Sequence, residues 1–325
     1  MGYDATNYLS PDISKKELAD FIKSLGYSGK GTNYYFFKND DYKYLCGVSL
    51  QISRTDNSIS VYTRTPIYCS FYDLEFQNST IRKIKKQFGG YFISENGRNR
   101  YFIIGTDNTT PPERGCYAAH ERLSNRFNEL LFLLDNVNQD YNQAEAMESF
   151  GIPSSATLLS NLSTTYLSSI IENYFRDLYV ALIKYSDKKE KIITTSNINK
   201  YDLFEVSEGK LTIEDSVALS KSLQNIRKID SYFRDINSKI DIKGVLSKPY
   251  HRRKETLFQT VERVLEQRHS LVHRLNVDIS YKKENVISDI KSIQVALDRV
   301  YEHLCSIYNW TMINKKTNRI QLKNK

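Results

Sequence analysis

Hydrophobic residues in the C-terminal half of the chain recur at every third or fourth position, which is the period of an amphipathic helix. The pattern predicts four helices, with a polar and exposed excursion at residues 186–210 between the first two. The four helices are predicted at residues 155–185, 212–233, 254–276 and 285–313. In the last of them the apolar positions keep the alternating spacing of three and four that is typical of packed bundles. We therefore expect an all-α four-helix bundle over residues 154–313.

The first third of the chain has a different pattern, in which short runs of β-branched and aromatic residues are separated by turn residues. A short amphipathic helix is predicted at residues 14–25 and a second helix from Ser79 to Phe88. Strands are predicted at residues 34–37, 44–52, 58–64 and 68–76, followed by a hairpin of residues 91–94 and 100–104 whose turn contains the favoured Asn-Gly pair. We interpret the tyrosine-rich strands as parts of a core rather than as a platform for stacked ligands.

The chain as a whole is therefore predicted to be α+β. A small α+β domain with antiparallel strands is expected at residues 1–112, and a helix and linker at residues 113–153. The bundle follows at residues 154–313, and a basic tail at residues 314–325. A length of 325 residues is enough for two domains that each have a core.

Composition narrows the class of protein. A net charge of +8 and a pI near 9.0 are compatible with a polyanionic partner. Four cysteines lie far apart without paired spacing, and we interpret them as free thiols in a reducing cytoplasm. The longest purely apolar run, residues 130–134, is far shorter than the ~20 residues of a membrane span, so a membrane protein is not expected.

The third predicted helix contains a group of polar residues that stability alone does not explain. Arg268 lies near the middle of an apolar stripe that includes Leu265 and Val272. A buried guanidinium destabilises the fold unless it is paired and hydrogen-bonded. His269 and His273 are four residues apart, so they project from one flank of the helix. Because Arg268 and His273 diverge by about 140° on an ideal helix, the geometry favours a site shared between two subunits.

Arg268, a polar residue at position 269, three further residues and His273 reproduce the Arg-(polar)-x3-His signature of HEPN-superfamily ribonucleases. The chain resembles this family over residues 154–313, and the motif lies on the third of four predicted helices, where the family carries it. The resemblance implies a metal-independent endoribonuclease without a cofactor, and the divergence of Arg268 and His273 predicts that it acts as a homodimer. It also implies a toxin or anti-phage (abortive infection) effector that cuts cellular RNA. The N-terminal domain would then be a sensor or regulator of the nuclease, and the sequence does not identify the ligand or trigger to which it responds.

The residues of the motif suit that chemistry. RNA supplies its own nucleophile, the ribose 2′-hydroxyl, and cleavage would leave a 2′,3′-cyclic phosphate and a 5′-hydroxyl. Histidine titrates near neutral pH and can take or give a proton, so His273 is assigned as general acid/base and His269 as an auxiliary group. Arg268 offers a planar, permanently charged fork that would stabilise the phosphorane.

Two further groups are candidates for the same site. Members of the family often carry an acidic or amide residue on the first bundle helix, oriented toward the motif, and Glu172 or Asn173 lies at such a place. The alternative is a polar residue on the outer face of that helix. A basic run at residues 248–254 precedes the motif helix, and Arg252, Arg253 and Lys254, with Arg274 after the motif, are predicted to contact RNA phosphates. The alternative is a soluble connection.

Other interpretations of the motif remain open. Arg268 can be a surface arginine whose stem covers apolar residues, with solvated histidines beside it. His-x3-His is also a zinc spacing, but Ser270 stands where zinc peptidases have glutamate, and no cysteine or acidic cluster lies nearby in the sequence. At the level of function, the alternative to a ribonuclease is a non-catalytic helical module for dimerisation or for binding a nucleotide or partner.

Overall fold

The computed structural model describes residues 2–38, 41–136, 150, 152–251, 253–274 and 276–310. The chain divides into two compact units, and the division falls between Arg114 and Gly115. The first, here called the sheet unit, is built around a single β-sheet, and the second, the helical unit, contains only helices among its described residues. The chain is thus α+β, as the sequence predicted.

The sheet unit is a seven-stranded sheet in which every pair of neighbouring strands is antiparallel, in the order β2-β3-β4-β5-β1-β6-β7. Alternating residues of the strands point toward the helices and form the core, among them Phe36, Leu50 and Val61. The strands are β1 (Gly2–Leu9), β2 (Ser28–Lys30), β3 (Asn33–Phe36), β4 (Val48–Arg54), β5 (Ile59–Pro66), β6 (Tyr91–Ser94) and β7 (Gly97–Arg98), and the helices are α1 (Lys15–Ser24) and α2 (Phe71–Phe88).

The sheet unit differs from the prediction in several places. Residues 68–76 were predicted as a strand, but most of them form the first turns of α2, because Ser70 caps this helix and Asp73 completes a capping box. β1 was not predicted at all, although it pairs with both β5 and β6 near the middle of the sheet. The hairpin after α2 is closed by the two residues of β7, and residues 100–104 form no strand.

The helical unit is organised around three long helices, α4, α10 and α11, which pack against one another. Ser168 Oγ donates to Val264 O (3.2 Å) between α4 and α10, and Arg263 forms two hydrogen bonds to Asp289 between α10 and α11. The helices are α3 (Pro111–Asp135), which begins in the sheet unit, α4 (Ser155–Lys184), α5 (Lys189–Thr195), α6 (Lys200–Ser207), α7 (Ile213–Leu219), α8 (Ile226–Ile236), α9 (Ile242–Ser247), α10 (Leu257–Arg274) and α11 (Lys283–Tyr308).

Two features of the helical unit differ from the prediction. The second predicted helix, at residues 212–233, is two helices, because Asn225 leaves the helical conformation and caps α8 with its side chain. The excursion at residues 186–210 contains α5 and α6, and Ile192 of α5 is buried. None of the helices in the described part of the chain is long and apolar enough to cross a membrane.

Candidate functional site

The motif helix α10 is buried along its first half and exposed along its second. Its buried residues end at Leu265. Val272, which was predicted to point into the core, is 46% exposed. The neighbouring helix α8 is joined to α10 by Arg227 and Glu262 (Nε to Oε1, 2.9 Å), more than two turns before Val272. The last two turns of α10, which contain the motif, therefore extend past this contact.

Arg268 is the point at which α10 and α4 bring opposite charges together. Its side chain is 20% exposed, and its Nη1 lies 3.8 Å from Oε1 of Glu172, whose side chain is 14% exposed. The pair is held at the distance of an ion pair, but it is too long for a hydrogen bond. Of the two acidic or amide candidates on α4, Glu172 is therefore the one that faces the motif arginine.

Two atoms of this ion pair and two further polar atoms of α4 are buried without a hydrogen-bond partner among the described residues. They include Nε of Arg268, Oε1 of Glu172, Oγ1 of Thr165 and Nε of Arg176. Thr165, Glu172 and Arg176 are separated by seven and four positions, so they lie along one side of α4. An unpaired buried polar group costs about 1–3 kcal/mol. Such a concentration of unpaired groups is a feature that structural stability does not account for.

Thr165 and Arg176 were not recognised in the sequence. The signal that identifies them is their spacing from Glu172, which could be used only once Glu172 was known to face Arg268. Asn173, the other candidate on this helix, points away from the motif. Its Oδ1 accepts a hydrogen bond from Nη1 of Arg176 (2.8 Å), and it lines a groove between α3 and α4. The two arginines of that groove, Arg122 and Arg126, are each paired with a carboxylate.

The two histidines of the motif stand together at the exposed end of α10. The ring centroids of His269 and His273 are 4.5 Å apart, with an angle of 46° between the planes. Both side chains are exposed, and among the described residues neither imidazole has a hydrogen-bond partner. No hydrogen bond joins either ring to the guanidinium of Arg268. The protomer thus exposes two adjacent imidazoles on one flank of α10, while its arginine faces α4.

A small polar cleft of about 140 Å³ adjoins the motif on the other flank of α10. Hydroxyl and amide groups dominate its lining, which comprises Asn161, Thr164, Gln267, Ser270, Leu271, Asn276, Asp278 and Tyr281. Asn161 of α4 closes one end, because its side chain exchanges two hydrogen bonds of 2.9 Å with the backbone of Asp278.

The basic run before α10 lies at the opposite end of the helix from His273. A rise of 1.5 Å per residue separates Leu257 from His273 by about 24 Å. Arg253 has a structural role, since its Nη1 donates to Oγ of Ser292 (2.6 Å) and its guanidinium lies over the ring of Tyr250. The side chain of Lys254 is exposed, as is that of Arg274 beside the motif. Arg252 lies outside the described residues.

The remaining helix histidines take part in packing. His120 is buried with its Nε2 3.2 Å from Asp298, and its ring stacks on Tyr301. His303 accepts a hydrogen bond at Nε2 from the backbone of Asp241 (3.0 Å), and burial lowers the pKa of His303. Over the described part of the chain, no three His, Cys, Asp or Glu side chains are grouped as a metal site requires. The four cysteines are free.

Comparison of the chain with protein-family models, with curated proteins and with solved structures finds no match. The resemblance to HEPN ribonucleases therefore rests on the motif and on its position in the helical unit.

Proposed function

We propose that this protein is a metal-independent endoribonuclease of the HEPN type. The bundle would consist of α4, the pair α7 and α8, α10 and α11, with the other helices as additions. The observation that carries the proposal is the position of Arg268, which is largely buried beside Glu172 with a free Nε. The imidazoles of His269 and His273, one and five residues further along the same helix, are exposed and close to each other.

The chemistry follows from the groups present. One imidazole removes the proton of the ribose 2′-hydroxyl, which attacks the adjacent phosphorus. The 5′-oxygen leaves with a proton donated by a second imidazole, and a 2′,3′-cyclic phosphate remains. General acid–base catalysis of this kind contributes about 10²–10⁴-fold. His273 is proposed as the principal acid/base group and His269, whose ring is 4.5 Å away, as the auxiliary group.

Arg268 would stabilise the charge that develops on the phosphorane. A guanidinium retains its proton and presents several N–H donors in a fixed plane, which fits two phosphate oxygens. The 3.8 Å separation from Glu172 leaves donors of Arg268 available, while the carboxylate orients the guanidinium and offsets its charge in the resting protein. Arg274 would contact a neighbouring phosphate, and Lys254 and Arg253 could do so only for an RNA that reaches the far end of α10.

The biological role that fits this activity is a cytoplasmic toxin or anti-phage effector that cuts RNA as a homodimer. The sheet unit would then control the nuclease or recruit its substrate.

The test is degradation of single-stranded RNA by the purified full-length protein in the presence of EDTA. We expect cleavage to persist in EDTA, to produce 2′,3′-cyclic phosphate ends detectable by mass spectrometry, and to fall about 10²-fold or more in His273→Ala. His251→Ala, which removes an exposed histidine at the other end of α10, is the matched control and should cleave normally.

Two results would overturn the proposal. If wild type does not cleave RNA under any condition that preserves its fold, the helical unit is a binding or dimerisation module. If EDTA abolishes cleavage and zinc restores it, His269 and His273 hold a metal, and the mechanism above is wrong.

A further inference from the structure

One face of the seven-stranded sheet is not covered by α1 and α2. The register of the strands identifies the residues on it, because directly paired residues of neighbouring strands point to the same side. Tyr8 pairs with Ser60 and with Tyr91, and Tyr62 pairs with Thr6 and with Gln51. We call this side of the sheet, which carries Thr6, Tyr8, Gln51, Ser60, Tyr62 and Tyr91 and the residues paired in register with them, the open face.

Tyrosines lie side by side at the centre of the open face. The rings of Tyr8 and Tyr91, on adjacent strands, are stacked with centroids 5.0 Å apart and 21° between their planes. The guanidinium of Arg98 lies 4.2 Å from the ring centroid of Tyr91 and continues the stack. Tyr62 is the diagonal neighbour of Tyr8, about 7–8 Å away across the sheet. All three tyrosines are partly exposed, so these aromatic groups are accessible from solvent.

The interpretation of the tyrosine-rich strands as core is therefore correct for one face and wrong for the other. Tyr34, on β3, is 5% exposed and packs in the core beneath the sheet. Tyr35, the next residue, is 46% exposed on the open face, and Ile93 of β6 is 43% exposed. Polar side chains would suit a merely solvated face better than large rings.

The charges and polar groups of the open face indicate what it binds. The basic side chains on its strand positions are Lys30, Arg64 and Arg98, and the acidic one is Asp4. Asp4 is occupied, because it pairs with Arg64 (3.6 Å) and accepts a hydrogen bond from the hydroxyl of Tyr62. The other positions carry mostly hydroxyl and amide groups, namely Ser28, Asn33, Ser49, Gln51, Ser53, Ser60 and Thr6.

We propose that the open face binds single-stranded RNA. Unpaired bases would stack on the aromatic column of Tyr62, Tyr8 and Tyr91, and Arg98 and Lys30, which are not paired with Asp4, would contact the phosphates. Exposed aromatic rings on neighbouring strands of an antiparallel sheet present the flat surfaces that unpaired bases require, and hydroxyl and amide groups can bond to base edges and to the ribose 2′-hydroxyl. The choice of RNA over DNA rests on the ribonuclease function proposed for the helical unit.

The experiment measures binding by fluorescence anisotropy, with full-length protein and a fluorescein-labelled, 2′-O-methylated single strand of about 12 nucleotides, which spans a typical site. Methylation removes the nucleophile, so the probe survives any nuclease activity. We expect Tyr62→Ala and Tyr91→Ala each to weaken binding by about 5- to 100-fold. Tyr62→Phe and Tyr91→Phe, which keep the ring, should bind nearly as wild type. Tyr201→Ala, at a tyrosine of α6 that is 68% exposed, is the matched control.

Competition identifies the ligand. In the His273→Ala protein, which should not cut the competitor, unlabelled single-stranded RNA should displace the probe, while the same RNA in a perfect duplex should not, because its bases are already stacked and paired. A single-stranded DNA of the same sequence should compete more weakly than the RNA. If DNA competes equally, the commitment to RNA is wrong.

The outcomes separate this proposal from the ribonuclease. If Tyr62→Ala and Tyr91→Ala bind like wild type, or if the phenylalanine variants lose binding as fully as the alanine variants, the stacking proposal fails, whatever His273→Ala does to cleavage. If the alanine variants lose binding while wild type never cleaves RNA, RNA binding by the open face is supported and the proposed catalytic function fails.

Discussion

Arg268 is the residue at which structural and functional requirements diverge most clearly. Most of its side chain is removed from solvent, yet its ion pair with Glu172 is long and its Nε has no partner in the described chain. A buried ion pair contributes little to stability unless its geometry is good and its remaining hydrogen bonds are satisfied. A leucine at this position would pack better against α4. The arrangement is therefore better explained by a ligand that takes the free donors.

Replacement of Arg268 and of Glu172 should separate the contribution of this ion pair to stability from its contribution to RNA cleavage. Arg268→Lys keeps a positive charge beside Glu172, so we expect a nearly unchanged melting temperature. It should still lose about 10²-fold or more in RNA cleavage, because an ammonium cannot present the planar fork to the phosphorane. Glu172→Gln leaves the guanidinium without a counter-charge and should destabilise the protein by about 1–3 kcal/mol in urea unfolding.

Arg126→Lys is the matched control for Arg268→Lys, because Arg126 is also a helix arginine paired with a carboxylate but is 59% exposed. It should alter neither cleavage nor stability. Full activity in Arg268→Lys would show that charge alone is required and would remove the role assigned to the guanidinium.

At the scale of elements, the start of α2 depends on one carboxylate. Asp73 is fully buried, and it accepts hydrogen bonds from the backbone N–H groups of Gly47 (2.8 Å), Leu45 (3.0 Å), Cys46 (3.1 Å) and Ser70 (2.9 Å). It therefore caps the helix and fixes the loop before β4 at the same time. The Sγ of Cys46 also lies against this carboxylate, and burial raises the pKa of that thiol.

Asp73→Asn should destabilise the sheet unit by about 3–5 kcal/mol, because the amide N–H₂ of asparagine would oppose backbone donors that now bind a carboxylate oxygen. Hydrogen exchange followed by mass spectrometry should show faster exchange at residues 44–47 and in the first turn of α2. Asp20→Asn, at an exposed position on α1, is the matched control. Unchanged exchange around residue 46 would mean that the loop is held by other contacts.

Elements that bury a periodic apolar stripe could be predicted from the sequence, and elements that depend on particular polar contacts could not. α4, α10 and α11 lie close to their predicted positions because their stripes are long. β1 was missed because its central buried residue is Asn7, whose side chain donates to the carbonyl of Ile81 (3.2 Å). The first turns of α2 were mistaken for a strand because aromatic residues dominate there, whereas the Ser70 cap decides the structure.

The same distinction applies to the candidate sites. Arg268 could be found in the sequence because it interrupts an apolar stripe. That Glu172 lies beside Arg268 could not be predicted, because it depends on how α4 packs against α10. The basic run at residues 248–254 is close to the motif only along the sequence, because the length of α10 separates the two in the structure. The open face could not be recognised from the sequence, because its residues are identified by the register of β1, and β1 was not predicted.

At the scale of the whole molecule, one protomer does not bring its arginine and its histidines together. Arg268 faces α4, while His269 and His273 stand on an exposed flank of α10. Large apolar side chains are exposed on both helices that carry the ion pair, with Val272 of α10 at 46% and Leu158 and Leu162 of α4 at 41% and 59%. Exposed apolar side chains of this size are a feature of interaction surfaces. A two-fold axis there would face one protomer's motif with that of its partner.

The final prediction follows from this surface. Val272→Asp places a charge where we expect the two protomers to meet, but at a position that is exposed in the protomer. Light scattering at micromolar concentration should therefore show a dimer for wild type and a monomer for the variant, with little change in melting temperature, and RNA cleavage should be lost together with the dimer. Leu219→Asp, at a residue of α7 that is 45% exposed, is the matched control and should remain dimeric and active. A wild-type protein that is strictly monomeric and still cleaves RNA would contradict the shared site, and each protomer would then have to bring Arg268 and His273 together by bending the end of α10.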